Sequence, residues 1–429
     1  MLTSIQLIDF KSFRDQTIPL APLTLLVGAN ASGKSNLFDA IRFLQGVGLG
    51  HPFTEILLPR WEAGREAWPG IRGGIHEVAF CHGDSFGLST DWSLRSHDDL
   101  LRKAEAQRVF GVMDYPEVRL AHRIECQTEN QVFLIDERLT DIDEGNQLFA
   151  TGGSSPSQQA RGTDFVPISA DLMPENPGKL PTAVYDSARS VLGQIVTLRL
   201  GGIHERVARD CARVSMSMRS SLFLDISPAR MRAYQAIQTR DLGEQGENIS
   251  PVLRRYCQDS DKKADLIDWL SELCGPVITD IRFDENTQQE VMLQVVETNG
   301  MPISARSLSD GTLRFLGVLA ALITAPEGSM VLIEEIENGL HPTRIHLLVE
   351  LLEHVTRDRG IQVLATTHSP WLLQHLCDES LGNAIVFGRV PEEEGTIARR
   401  LKDLKDFEAV ADRAAVDRLF STGWLERGL

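Results

Sequence analysis

The stretch GANASGKS, residues 28–35, puts two glycines, a lysine and a hydroxyl in the GxxxxGK[ST] spacing. Such a match is expected by chance roughly 0.02 times in a chain of ordinary composition. Glycines at these positions let the backbone curl so that its N–H groups face an anion, and a following helix adds its partial positive charge. Lys34 is placed to neutralise β- and γ-phosphates and Ser35 to bind Mg²⁺. Gly28, Asn30, Ala31, Ser32, Gly33, Lys34, Ser35 and Asn36 are therefore the candidate nucleotide-binding residues, with ATP and Mg²⁺ as the expected ligands.

A second cluster is MVLIEEIENGLHP, residues 330–342. Four apolar residues followed by two carboxylates read as a buried strand with Glu334 and Glu335 at its carboxyl end, the edge where α/β sheets bind ligands. One carboxylate, Glu334, can hold the metal. The next points the other way, so Glu335 can polarise an attacking water. VLATTHSP (363–370) is a further buried strand, ending at His368, whose neutral ring could donate to a γ-phosphate or to that water. Lys34, Glu335 and His368 are the candidate catalytic residues; Ser35 and Glu334 are the candidate metal ligands.

These clusters need strands and helices to hold them. Residues 3–9 alternate like a strand, 23–27 (LTLLV) form a continuous apolar run, and Leu37, Ile41 and Leu44 recur at helical spacing after the Gly-rich loop. Residues 48–76 read as a Gly/Pro/Trp-rich loop, 77–94 and 118–139 as meander strands flanking a charged helix at 98–109. From 140 to 182 the composition turns polar and predicts a loop. A mainly helical stretch follows to about 275, including MRAYQAIQ and ISPVLRRYCQ; strands are expected at 278–283, 290–297, 330–333, 361–366 and 384–387. A helix is expected at about 343–356. An amphipathic helix bearing Leu401, Leu404, Phe407 and Ala411 closes the chain. The expected fold class is α/β: a sheet assembled from both termini, as an N-terminal lobe (1–139) and a C-terminal lobe (278–429), with 140–277 inserted.

The 429 residues, 42% hydrophobic and 24% charged, suit a globular chain of two or three domains. No apolar run approaches the ~20 residues of a membrane span. The opening MLTSIQLIDF has no basic region followed by an apolar core, so a cytoplasmic protein is expected. Six scattered cysteines form no CxxC pair and read as free thiols. A net charge of −17 confines any nucleic-acid contact to a local basic patch or to a partner.

The order of motifs resembles the P-loop NTPase heads of the ABC-type ATPases in the RecF, SMC and OLD group, especially the AAA-type relatives without a long coiled coil. The similarity covers residues 1–50 and 300–372: IDFKSF, the Walker A loop (28–35), a signature loop LSDGT (308–312), Walker B (330–335), a D-loop (337–342) and a switch histidine, His368. IRGG (71–74) and GENISPVL (246–253) are similar more weakly. The resemblance implies an ATPase that pairs head-to-tail with a second copy. Each copy would then present Ser309, Asp310 and Gly311 to ATP held by its partner, so that hydrolysis loosens the dimer.

Two departures stand out. Glu334 takes the place of the Asp of many relatives, and Asp310 adds negative charge beside a triphosphate, so slow turnover is expected. Two functions remain open at this point. One is DNA-associated work such as DNA repair, suggested by clusters such as Arg199–Arg213 and Arg213–Arg232. The other is a nucleotide-gated sensor or scaffold in an anti-phage module, acting with a separate effector, since the 61 residues after His368 (429 − 368) hold no Toprim-type E…DxD set. The 275-residue step from Lys34 to Ser309 (309 − 34) argues against a transporter head.

Overall fold

A computed structural model describes residues 1–62, 65–94, 117–128, 131–152, 166–173, 182–198, 203–274, 278–390, 394–404 and 429. Its centre is a six-stranded sheet in the order Ser221–Leu224, Met330–Ile333, Gln362–Thr367, Leu23–Val27, Ile385–Gly388 and Ile397–Arg400. The first five strands are parallel and only the last is antiparallel. Leu23–Val27, Met330–Ile333, Gln362–Thr367 and Ile385–Gly388 are buried at every residue, as strands covered on both faces must be. Val27 lies opposite Thr367, and Ile333 opposite both Ala365 and Leu224. This register brings the carboxyl ends of four strands to one edge.

Helices pack the two faces into two apolar clusters. The helix Asp310–Thr324 and the helix Ile345–Asp358 belong to one; the helix Lys34–Leu49 belongs to the other. The second cluster also covers an eight-stranded antiparallel sheet that includes Leu2–Phe10, Phe13–Pro19, Ser85–Leu94, Val118–Thr128 and Val132–Asp141. Gln362, 2% exposed, ties the two sheets: its amide accepts from Leu2 N at 3.0 Å and donates to Leu2 O at 2.7 Å. A smaller sheet pairs Ile278–Glu285 with Glu290–Glu297, flanked by Gln235–Ala236 and Pro302–Ser304.

Several expectations need correction. The polar stretch 140–182 contributes strands: Gln147–Thr151, Pro167–Leu172 and Thr182–Asp186 complete the large sheet, burying Phe149, Ile168, Leu172 and Tyr185. Each holds too few apolar residues to signal a strand alone; pairing to the preceding strand decides it. The inserted region is therefore not separate. The strand Val132–Asp141 runs across the expected boundary at 139/140, and Ser221–Leu224 is an edge strand of the central sheet. In MRAYQAIQ the short helix Pro228–Met231 stops, and Gln235–Ala236 pairs with Val291 and Glu290.

Residues 48–76 hold a helix, Phe53–Leu57, and a hairpin, Arg60–Glu62 with Arg65–Trp68. The charged helix at 98–109 and the part of the closing helix bearing Phe407 and Ala411 lie outside the described residues; Leu401 opens a short 3-10 turn. Cys81, Cys126, Cys211, Cys257 and Cys377 are free thiols. Among the described residues no helix is long and apolar enough to cross a membrane.

Candidate nucleotide site

The loop after Leu23–Val27 lies tight against the neighbouring strands, and glycine is what permits it. Gly28 has φ +150°, and a Cβ there would stand 2.3 Å from the carbonyl oxygen of Phe387. At Gly33, φ +106°, a Cβ would stand 2.6 Å from Thr396 Oγ1. Gly33 caps the helix Lys34–Leu49, whose first turn carries no acidic residue, so its free N–H groups and dipole favour an anion. Lys34 is buried, its ammonium donating to Gly28 O at 2.7 Å and Ala29 O at 2.8 Å. Ser32 Oγ is buried without a partner. A buried ammonium, an unsatisfied hydroxyl and an open helix N-terminus in a side-chain-free cradle fit a polyphosphate. Asn30 and Ala31 are exposed, and Ser35 is half-buried in the first helical turn.

Asn36 turns outward to donate to Ser12 Oγ at 2.8 Å, and Ser12 Oγ also accepts from Thr396 Oγ1 at 2.8 Å. This chain pins the IDFKSF turn to the phosphate loop. Beside it opens a cavity of about 990 Å³ lined by Lys11, Arg14, Arg72 and Arg389 against Glu77 and Glu394. Arg72 donates to Ser35 O and pairs with Asp39, which Lys11 also reaches at 3.1 Å. The sequence hinted at Arg72 only through IRGG; no spacing rule links it to residue 35.

Glu334 and Glu335 follow the strand Met330–Ile333 and meet different surroundings. Glu334 lines a second cavity, of about 330 Å³, with Asp39, Asp225, Gln245 and Arg72. Asp225 follows the strand Ser221–Leu224 beside Met330–Ile333, and Gln245 is drawn in by hydrogen bonds from Asp225 N to Glu244 O (2.9 Å) and Ser227 N to Gln245 O (3.1 Å). Carboxylate and amide oxygens of this kind are suitable ligands for a hard cation. Neither Asp225 nor Gln245 was found by sequence reasoning. The available signal was that Asp225, like Glu334, follows an apolar strand.

Glu335 sits at φ +48°, unusual for a residue with a side chain. Its N–H donates to the buried Thr366 Oγ1 at 2.8 Å, and its carboxylate accepts from Asn338 Nδ2. Glu337 Oε1 accepts from His368 N at 2.8 Å, while Glu337 Oε2 is buried without a partner. Two side chains thus stitch the acidic strand end to the histidine strand end. Lys34, Ser35, Glu334, Glu335 and His368 all lie along the same sheet edge.

Ser309, Asp310 and Gly311 line neither cavity. Ser309 caps the helix Asp310–Thr324, its Oγ accepting from Thr312 N at 3.1 Å. Gly311 abuts the D-loop so closely that a Cβ would lie 2.5 Å from Gly339 O. Of the two expected basic clusters, the first is matched in part: Arg206 pairs with Asp141, Glu144 and Asp210, Arg209 pairs with Asp210, and the buried Arg213 donates to Leu94 O, while Arg199 lies outside the described residues.

Residues 223–374 match the family model described as "AAA domain, putative AbiEii toxin, Type IV TA system", and residues 4–46 match a second AAA-domain model. A 72-residue stretch is 33% identical to a methionine import ATP-binding protein of Oceanobacillus iheyensis, covering 17% of this chain; the match spans one fifth of that protein's length. Similar solved structures include an SMC head bound to the C-terminal winged-helix domain of ScpA, at 15% identity, TM-score 0.46 and 94% and 98% coverage of the two chains. The SMC head domain of Thermotoga maritima is similar at 14% identity, TM-score 0.41 and 93% and 98% coverage. The two AAA-domain matches fall far apart in sequence, yet strand 23–27 of the one and strands 330–333 and 362–367 of the other lie side by side in one parallel sheet.

Proposed function

We propose that the protein binds and hydrolyses ATP and that two copies pair head-to-tail around it. Gly28–Ser35 would cradle the triphosphate, with Lys34 exchanging the carbonyls of Gly28 and Ala29 for phosphate oxygens. Ser35 and Glu334, with Asp225 and Gln245 beside Glu334, would hold Mg²⁺, which supplies charge neutralisation on the phosphates. Glu335 orients and polarises the attacking water, and His368 donates a hydrogen bond to the γ-phosphate. Ser309 and Gly311 serve the partner's nucleotide. The observation that carries this reading is the loop itself: Gly28 and Gly33 leave no room for a Cβ, Lys34 is buried at an open helix N-terminus, and Ser32 Oγ is left without a partner.

The test is oligomer mass with ATP. Lys34→Ala should stay monomeric and fail to bind ATP, whereas Glu335→Gln should trap ATP and accumulate as a dimer. A Glu335→Gln protein that remains monomeric at saturating ATP refutes the pairing.

For its biological use, we favour a nucleotide-gated sensor or scaffold that acts with a separate effector in a defence module. The support is the family description matched by residues 223–374, together with the pairing of Arg206 and Arg209 to acidic neighbours of their own chain. DNA-associated work, including repair, is the second reading, supported by the motif order shared with RecF-like heads. Filter binding separates the two: ATP-dependent DNA affinity falling steeply with salt would favour DNA work.

A further inference from the structure

Asp310 poses an electrostatic problem under that pairing. Its carboxylate is 72% exposed at the first position of the signature helix, where a triphosphate would approach. The structure supplies a counter-charge from a distant part of the chain. Arg232 Nη2 lies 2.6 Å from Asp310 Oδ1 and donates to Leu308 O at 2.9 Å. The guanidinium therefore bridges the residues on either side of Ser309. It follows Met231, which is fully buried in the core cluster around the signature helix, so its backbone is anchored. On the other side Gly339 closes against Gly311. Ser309 is held between a fixed cation and the D-loop.

We propose that Arg232 is a positioning residue of the composite site. It neutralises Asp310, turns that carboxylate aside, and fixes the Leu308–Asp310 loop so that Ser309 and Gly311 can face a triphosphate carried by a second copy. A guanidinium has five N–H donors in a rigid fork, so the two acceptors named here leave others for an incoming phosphate oxygen. A lysine has the charge but not the fork and would hold one acceptor at a time. The inference rests on the head-to-tail reading and adds to it a residue outside every recognised motif.

The experiment uses the Glu335→Gln protein as parent and reads ATP-dependent dimerisation by mass, with fluorescent-ATP binding to the single head measured separately. Arg232→Ala should leave single-head ATP binding unchanged. Pairing should weaken by about tenfold or more, the scale of one lost charge-assisted hydrogen bond. Arg232→Lys should recover part of the loss. Asp310→Asn combined with Arg232→Ala should pair better than Arg232→Ala alone, because the stranded negative charge is gone. If the parent pairs and Arg232→Ala pairs equally well, the role of Arg232 is refuted and the pairing stands. If the double variant is no better than Arg232→Ala, charge neutralisation is refuted as the mechanism. A parent that never pairs overturns both ideas.

Discussion

Replacing Gly28 by alanine separates two physical demands on the phosphate loop. The new methyl would stand 2.3 Å from Phe387 O, a backbone atom of the adjacent strand that cannot rotate away, and 2.9 Å from Ser32 Oγ, which can. Overpacking of this kind costs about 1–3 kcal/mol. Forcing a side chain onto a glycine-only backbone at φ +150° adds about 1–3 kcal/mol. The expected loss is therefore about 2–6 kcal/mol, a sizeable part of the ~5–15 kcal/mol that holds a domain folded. Gly145 is the matched control: it has φ +70° in a turn, but a Cβ there meets nothing within 4 Å, so Gly145→Ala should cost only about 1–2 kcal/mol. Urea unfolding followed by tryptophan fluorescence compares the midpoints, provided the slopes agree. Gly28→Ala should also lose ATP binding, since the loop must move away from Phe387. Equal midpoints for the two variants would refute the steric argument.

Thr366→Val keeps the shape of a buried side chain but removes the acceptor of Glu335 N–H. It should cost about 1–3 kcal/mol and slow phosphate release while ATP titrations stay unchanged; wild-type turnover would contradict the proposed support of Glu335. The pH dependence of stability has a definite sign. Burial holds the Cys126 and Cys211 thiols well above their ordinary 9.0 and pushes Tyr185 up to about 12. The unfolded chain ionises first, so their contribution is intact below pH 9.0 and is lost as pH rises beyond it, at about 1.4 kcal/mol per pH unit per thiol. Replacing both cysteines by alanine should flatten the unfolding midpoint between pH 9.0 and 10.0; an unchanged slope would reject the assignment.

The motifs were legible in the sequence because each is local. GANASGKS, the acidic pair after MVLI and the histidine after VLATT each need only a few consecutive residues. The buried strands that present them are continuous apolar runs, a pattern that survives without knowledge of neighbours. The short strands within 147–186 were not legible, because their few apolar residues become a strand only by hydrogen bonding to a sheet already formed. Ser221–Leu224 (SLFL) was hidden for a different reason: so short an apolar run reads equally well as part of a buried helix.

What the sequence by itself offered was the candidate chemistry: a Gly-rich loop of phosphate-binding type, paired carboxylates and a strand-end histidine, read from residue type and spacing. Tertiary structure alone decided how that chemistry is held and balanced. Arg72 on Ser35, Thr366 under Glu335, Glu337 on His368 and Arg232 on Asp310 join residues 31 to 78 positions apart. Strand order and register bring such pairs within hydrogen-bond reach, and no periodicity along the chain encodes a distance that only folding closes.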